Sequence, residues 1–479
     1  MKYVIVALLA AIVVLLAVII IRMLRFKPKA GPAVYDDEIV FDKDKAVDGL
    51  RALVKCKTIS HSNTDFEDNE EFQKLLNMLP ELYPNVHSAC EYIQFPDRGI
   101  LFKWKGKNDG NPAILMAHYD VVPVGEEGWE KPPFEGVIED GVLWGRGTLD
   151  TKVTMNAALS AADNLIAQGF TPENDVYFAF SGGEEINGKG AEHIVEWFAE
   201  KNITPELVVD EGGAVVEDVF PGVTAPCGMI GIAEKGVVNI GYRTKSNGGH
   251  ASAPKPHTPV GILARACARV ENKPFKSHIT KPIAEMFDTL GRHSNFVYRM
   301  VFANLWCFAF VLDILCKKQG GELNALMRTT VAFTQMEGSS APNVIPPEAM
   351  MVSNVRLNSE DTIDSAIEYI KKTIDDDDVE VSVLHGFNAS RISKTDCKGW
   401  DIVASSVAST WKGTIVTPYL MMQASDSRHY GKISDRVYRF SAMDLTKEER
   451  STIHGHNERI RIETIHKSVE FYIRLLKQC

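Results

Sequence analysis

The chain has 479 residues, 45% of them hydrophobic, and this length exceeds that of one typical domain. It carries 52 Lys and Arg residues against 63 Asp and Glu residues, a formal net charge of −11, which argues against nucleic acid as a partner because phosphate needs a basic surface. No two of its eight cysteines form a C-x-x-C pair, so we expect reduced thiols and neither a cysteine zinc site nor a disulfide scaffold.

The N-terminal segment differs in composition from the rest of the chain. Residues 4–21 are consecutive apolar residues, and a basic cluster begins directly after them at Arg22. As a helix this run is about 27 Å long, close to the thickness of a hydrocarbon core. A cleaved signal peptide has a shorter apolar stretch followed by small residues. We therefore expect a single-pass membrane anchor at residues 1–22 and a linker at 23–45, with the side of the membrane left open.

Beyond the linker, short apolar runs alternate with amphipathic stretches, a pattern typical of an α/β domain. Three runs have the composition of buried parallel strands, namely residues 113–117, 176–180 and 207–209. Each run is followed directly by possible metal ligands, in chain order His118 with Asp120, Glu184 with Glu185, and Asp210. Open α/β sheets carry their active sites at the carboxyl ends of the strands. We therefore expect these side chains to meet at one edge of a sheet.

From about residue 235 to 390 the pattern of elements changes. We predict two strands and two helices in this stretch, at residues 237–244 and 349–357 and at residues 260–271 and 362–374. The pattern predicts a separate α+β domain at 235–390, inserted into a catalytic domain that comprises 46–234 and 391–479.

Residues 296–316, inside the inserted part, are strongly apolar but contain Arg299, Asn304 and Asp313. The stretch between the two charged residues is too short to cross a bilayer. We expect a buried helix here, or an apolar wall of a substrate site.

Several residues of the chain have the chemistry of a two-metal centre. Catalytic zinc is bound by imidazole nitrogen and carboxylate oxygen, and two neighbouring metals need a carboxylate that bridges them. One bridging carboxylate and two further ligands for each metal account for five candidates: His118, Asp150, Glu185, Asp210 and His454.

These residues lie in a longer series of motifs that resembles a known family. The motifs are MAHYDVVPV at 116–124, WEKPPFEG at 129–136, GRGTLDTK at 145–152, GGEE at 182–185, VVDEGG at 208–213, GGHASAP at 248–254, NVIPPEA at 343–349, SDSR at 425–428 and IHGHNERI at 453–460. In order and spacing they resemble the di-zinc metallopeptidase family of carboxypeptidase S, aminoacylase and bacterial glutamate carboxypeptidase. The resemblance begins near residue 45 and is strongest to the carboxypeptidase S-like branch, which includes an N-fatty-acyl-amino-acid synthase/hydrolase.

The resemblance implies an α/β catalytic domain with a mainly parallel central sheet and helices on both faces. It also implies an inserted α+β, ferredoxin-like lid through which the chain forms a homodimer. Two zinc ions per chain are implied, although Co²⁺ or Mn²⁺ also suits such ligands.

The resemblance further implies a role for each site residue. His118 and Asp210 would bind one zinc ion and Glu185 and His454 the other, with Asp150 bridging. Asp120 would orient His118, and Glu184 would be the general base for a water that bridges the metals. In the inserted domain, His250 would stabilise the oxyanion, and Asn343 and Arg356 would bind the carboxylate of the substrate.

The chain departs from the family pattern at three places without losing a ligand. Ala424 and Ser425 precede Asp426 where relatives have Gly-Gly-Thr, His456 follows the zinc histidine, and Thr151 replaces an aspartate.

The function expected from these residues is a zinc-dependent amide hydrolase of the metallo-carboxypeptidase or N-acyl-amino-acid amidohydrolase type, cleaving next to a free α-carboxylate. The substrate is a small molecule or a peptide. The alternative is a C-terminal-residue peptidase or dipeptidase without preference for a lipid acyl group. A more remote alternative is an inactive, membrane-tethered binding protein, which predicts the loss of Glu184 or of a ligand.

Overall fold

A computed structural model describes residues 1–125 and 127–479 of the chain. Its centre is an eight-stranded sheet in the order β1-β2-β6-β3-β7-β16-β8-β15. With all strands numbered in chain order, these are β1 (Cys90–Phe95), β2 (Gly99–Trp104), β3 (Asn108–His118), β6 (Asn174–Ser181), β7 (Leu207–Val216), β8 (Cys227–Glu234), β15 (Ile415–Met421) and β16 (Val437–Leu445). β3 runs parallel to both β6 and β7, so the three predicted apolar strands are neighbours that end at one edge.

Helices cover both faces of this sheet. The helices of the chain are α1 (Lys2–Arg25), α2 (Lys43–Val54), α3 (Asn69–Leu82), α4 (Pro84–Ala89), α5 (Lys152–Ala167), α6 (Gly190–Glu200), α7 (Pro259–Asn272), α8 (Lys281–His293), α9 (Phe296–Ala303), α10 (Leu305–Gln319), α11 (Gly321–Met327), α12 (Ile363–Ile374), α13 (Lys398–Thr410), α14 (Lys447–Ser451) and α15 (Ile462–Leu476). α2, α5, α13 and α15 share one core with the sheet, and α6 packs in a second core on other residues of the same strands. The alanines of α5 permit close packing against α15. The predicted α/β fold is confirmed.

A second, antiparallel sheet forms a separate layer in the order β11-β13-β9-β14. Its strands are β9 (Gly236–Lys245), β11 (Thr330–Glu337), β13 (Glu348–Leu357) and β14 (Glu380–Phe387). Helices α7 and α12 bury their apolar faces on it in a core of its own. The chain order βαββαβ with this strand order is ferredoxin-like, as predicted for the lid.

The inserted segment is divided between the two layers. Helices α8 to α11 lie between α7 and β11 in sequence, yet Ile283, Phe287 and Leu290 of α8 pack with Leu420 of β15, at the edge of the central sheet. The predicted bounds at 235 and 390 stay predictions, but the segment that they enclose does not all pack on the lid sheet.

The remaining strands form two small sheets, one in loops near the carboxyl edge of the central sheet and one in the lid. They are formed by β4 (Val137–Glu139), β5 (Val142–Trp144) and β17 (Arg459–Arg461), and by β10 (Gly249–His250) and β12 (Val344–Ile345). All eight cysteines are free, as predicted.

Helix α1 is long and apolar enough to cross a membrane, and most of its side chains are exposed. By length and composition, both an uncleaved anchor and a signal sequence fit this helix. The buried helix expected at 296–316 is wrong: the segment is broken into α9 and α10, bent by 110°, and large apolar side chains such as Phe310 are exposed. The break lies at Asn304, directly after Ala303. The side-chain amide of Asn304 donates hydrogen bonds to the carbonyls of Met300 and of Ile19 in α1.

Candidate metal centre

Asp150 lies between the two predicted zinc histidines at the carboxyl edge of the central sheet. Its Oδ1 is 3.0 Å from Nε2 of His118, the last residue of β3. Its Oδ2 is 2.9 Å from Nε2 of His454, which lies in the loop before β17. One carboxylate thus offers an oxygen to each histidine, which is the arrangement that a bridging ligand needs.

A second carboxylate faces each histidine. Glu185 Oε1 is 3.2 Å from Nε2 of His454, and Glu211 Oε1 is 3.3 Å from Nε2 of His118. Each imidazole nitrogen therefore points at two carboxylate oxygens. One nitrogen and two oxygens are a donor set that suits zinc and leaves a position open for water or substrate. The residues present fit a pair of divalent cations.

Glu211, and not the predicted Asp210, is the acid that β7 brings to His118. In the pairing of β7 with β16, Asp210 lies opposite Arg439 and Gly213 lies opposite Phe440. Glu211 and Gly212 therefore form a β-bulge. A bulge interrupts the regular alternation of side chains along a strand, and here it directs the side chain of Glu211 towards the centre. Asp210 accepts a hydrogen bond from the backbone N–H of Ser427 at 2.9 Å.

The two glycines after Glu211 explain why the bulge forms there. Gly212 has a φ of +136°, which side-chain-bearing residues rarely adopt. A Cβ on Gly213 would collide with the carbonyl oxygen of Met229 on β8. The Glu-Gly-Gly sequence was thus the signal from which the position of Glu211 could have been predicted.

Asp120 holds the loop that carries Glu184 and Glu185. Its carboxylate accepts the backbone N–H of Glu184 at 3.1 Å and that of Glu185 at 3.2 Å, and the hydroxyl of Ser60 at 2.6 Å. Its backbone oxygen lies 3.0 Å from Nδ1 of His118, which leaves Nε2 of that imidazole directed at the centre. Such support of a ligand from behind is common in metal sites.

Glu458 supports the opposite side of the centre and was not predicted from the sequence. This fully buried carboxylate pairs with Arg146 at 2.6 Å and accepts the backbone N–H of Leu149 at 2.8 Å. It therefore joins the loop that ends in Asp150 to the loop that carries His454. The sequence feature that could have predicted this role is the position of Glu458 at the end of the HGHNE motif.

The centre concentrates negative charge in a buried place. Burial raises the pKa of Glu184 well above its usual range, and nearby carboxylates including Glu211 add to the effect. Burial likewise raises the pKa of Glu211 to about 8, against the opposing charge of His118. Hydrogen bonds to Asp150 and Glu185 raise the pKa of His454 to about 10. An excess of buried carboxylates over cationic groups is what bound divalent cations would compensate.

The centre opens into a cavity of about 1160 Å³. The carboxylates of the centre line one part of it, and apolar side chains such as Phe220, Met286 and Leu323 line the remainder together with polar ones such as Gln319 and Gln423. This volume exceeds the usual range for small-molecule sites.

The three predicted lid residues lie elsewhere in the described part of the chain and do not line this cavity. His250 is exposed on β10 and pairs with Val344 of β12, beside Asn343, whose backbone oxygen accepts the N–H of Ala251 at 3.0 Å. Arg356 lies half-buried on β13. Their roles, and the homodimer, stay predictions.

Comparison with known proteins identifies the family. The model of peptidase family M20/M25/M40 matches residues 114–478, a span that includes every residue of the centre. The chain belongs to this family. It is a metal-dependent hydrolase of peptide or related amide bonds, and the resemblance inferred from its motifs is confirmed.

Relatives within the M20/M25/M40 family cover nearly the whole chain. The probable carboxypeptidase S-like 2 of Dictyostelium discoideum is 33% identical over 99% of this chain and 93% of its own length. The N-fatty-acyl-amino acid synthase/hydrolase PM20D1 of Xenopus tropicalis is 33% identical over 98% and 94%. An M20 family metallo-carboxypeptidase from Sulfolobus solfataricus shares the fold, with a TM-score of 0.67 and 17% identity over 90% of this chain and 98% of that one.

Proposed function

We propose that this protein is a two-zinc amide hydrolase that releases amino acids from N-acyl amino acids, next to the free α-carboxylate. The observation that supports it best is Asp150 between two histidines, with Glu184 lining the same cavity, whose wall includes apolar side chains.

The distances support one assignment of ligands to each ion. His118 and Glu211 would bind one zinc ion, and His454 and Glu185 the other, with Asp150 bridging. Glu211 thereby takes the role expected of Asp210. Two zinc ions bound there would acidify a water molecule and polarise the scissile carbonyl. Co²⁺ or Mn²⁺ also suits these donors.

Glu184 is the proposed general base. It follows Gly183 on the same short turn as the ligand Glu185, and it lines the cavity. It would take the proton of the attacking water and deliver it to the leaving nitrogen.

The cavity supports an acyl group on the substrate. Phe220, Met286 and Leu323 offer apolar contact where a peptide would present polar backbone. The relative named as an N-fatty-acyl-amino acid synthase/hydrolase acts, by its name, on such compounds. Recognition of the α-carboxylate by Asn343 and Arg356, and of the oxyanion by His250, requires the lid to approach the centre.

We further propose that α1 is retained as a membrane anchor. Its Ile19 and Met23 are buried against the body of the protein. After it, the ammonium of Lys29 pairs with Asp288 of α8 at 2.8 Å. A cleaved leader would leave this contact surface exposed.

The test uses the full chain, purified in detergent and loaded with zinc. N-lauroyl amino acids, N-acetyl amino acids and dipeptides are supplied in parallel, and amine release is measured against Glu184→Gln. Preferential cleavage of the N-lauroyl compounds is expected. Cleavage of dipeptides alone would establish the peptidase alternative, and activity no greater than that of Glu184→Gln on every substrate would contradict the hydrolase.

A further inference from the structure

Helices α9 and α10 expose large apolar side chains, an arrangement that is unfavourable in water. On α10, Trp306, Phe310 and Ile314 are 58%, 67% and 58% exposed. Their spacing of four residues sets them along one stripe of the helix. At the start of α9, Phe296 is 63% exposed. We call these four residues, three along α10 and one at the start of α9, the apolar stripe. Exposed apolar groupings of this kind mark sites of protein or membrane contact.

Helix α1 fixes where this stripe lies relative to a bilayer. The side-chain amide of Asn304, between α9 and α10, donates to the backbone oxygen of Ile19 at 3.1 Å. The Arg22 side chain donates to the carbonyl of Ala303 at 3.2 Å. Ile19 is two residues before the end of the apolar run, about 3 Å along the helix. With α1 across a membrane, the corner between α9 and α10 lies at the edge of the hydrocarbon core.

The junction between α1 and the body is held by several contacts, so the corner keeps this position. The Arg292 guanidinium stacks over the ring of Phe26 at 4.2 Å and donates to the Lys27 carbonyl at 2.9 Å. Arg292 belongs to α8, whose apolar face is buried against β15. The body is thus attached to α1 directly, and not through a free linker.

The same helices also form part of the wall of the catalytic cavity. Tyr298 of α9 lines it, as does Gln319 at the end of α10. The segment that bears the stripe on its outside therefore borders, on its inside, the space that contains Glu184.

We infer that the apolar stripe dips into the lipid bilayer beside α1, so that the acyl chain of the substrate enters the cavity directly from the membrane. Interfacial helices bury their apolar faces about 5–10 Å into the boundary of a bilayer. Lys317 and Lys318, at the end of α10, suit the headgroup layer. The partner is a lipid surface; the route for the acyl chain rests on the proposed function.

The depth of the stripe can be measured without any activity. The full chain, its intact mass showing that α1 is retained, is reconstituted into vesicles of phosphatidylcholine with plain or dibrominated acyl chains. Bromine quenches tryptophan emission at contact, and we expect a quenched component that disappears in Trp306→Phe. Equal quenching of wild type and Trp306→Phe would overturn the proposal, as would an unquenched Trp306 that is shielded by a second copy of the chain.

Activity tests the route of the acyl chain. In the same vesicles, Phe310→Ser combined with Ile314→Ser should slow hydrolysis of N-oleoyl amino acids about tenfold and leave N-acetyl amino acids unaffected. Phe66→Ser is the control, because Phe66 is 71% exposed and lies before α3, outside the helices that contact α1. An equal loss on both substrates would contradict the route. Quenching without any hydrolysis would leave the membrane contact standing and overturn the proposed function.

Discussion

Glu211 Oε1 lies 3.3 Å from Nε2 of His118, whereas the adjacent Asp210 is turned to the backbone of Ser427. The two acids follow each other in one motif, and only the bulge in β7 separates their roles. Which of them binds metal decides how the first zinc site is built.

Glu211→Gln should lose one of its two zinc ions, because an amide oxygen is a far weaker ligand than a carboxylate. Asp210→Asn should keep both, since an amide oxygen still accepts the Ser427 N–H. Metal content per chain, measured after dialysis, distinguishes the two variants. Two ions in Glu211→Gln and one in Asp210→Asn would return the ligand role to Asp210.

Glu184→Gln should lower kcat about 10²- to 10⁴-fold, the usual contribution of a positioned base. Both metal ions should remain, since Glu185, on the same turn, is the proposed ligand. Amine release and metal content are measured on one preparation. Loss of metal together with activity would mean that Glu184 acts as a ligand and not as the base.

Glu458→Ala should destabilise the fold by about 3–5 kcal/mol, because it leaves the buried Arg146 guanidinium without its counter-charge. Thermal unfolding measures the change. Glu448→Ala is the matched control, because Glu448 is 77% exposed in its pair with Arg459, and its loss should alter Tm little. Equal Tm values for the two variants would contradict the role given to Glu458.

Removing the metals with a chelator should lower Tm, and added zinc should restore it. Ligands that bind only the folded state stabilise it by about 4 kcal/mol per site at a thousandfold excess over Kd. The repulsion among the buried carboxylates that surround Asp150 adds to the loss. A Tm that does not respond to chelation would show that no metal bound at the centre stabilises the fold.

Much of the centre was predictable because strand ends and metal ligands leave clear marks in a sequence. His118, Asp150, Glu185 and His454 lie together: His118 and Glu185 because two of the apolar runs form neighbouring strands, and Asp150 and His454 on loops that the motifs had marked. Glu211 was missed because a bulge changes which side chain of a strand faces the site, and periodicity alone does not reveal a bulge.

For residues 296–316 the buried-helix alternative was wrong for a different reason, whereas Tyr298 does line the cavity, as the substrate-wall alternative expected. Apolar composition indicates that a segment avoids water, but it does not distinguish a protein core from a lipid phase. An apolar residue such as Phe310 fits a buried helix and a lipid-facing helix equally well by composition, and its exposure of 67% argues against the buried helix. The predicted roles of His250 and Arg356 depend on how the lid meets the centre, which sequence patterns do not encode.

The carboxylate of Asp120 accepts the backbone N–H groups of both Glu184 and Glu185. The proposed base and one proposed metal ligand therefore lie on one turn that a single carboxylate holds by two hydrogen bonds. Asp120 is not among the residues that line the cavity, so we expect changes in the cavity wall to leave this turn in place. Under the proposed function, the substrate can therefore change while the residues that cleave its bond keep their geometry.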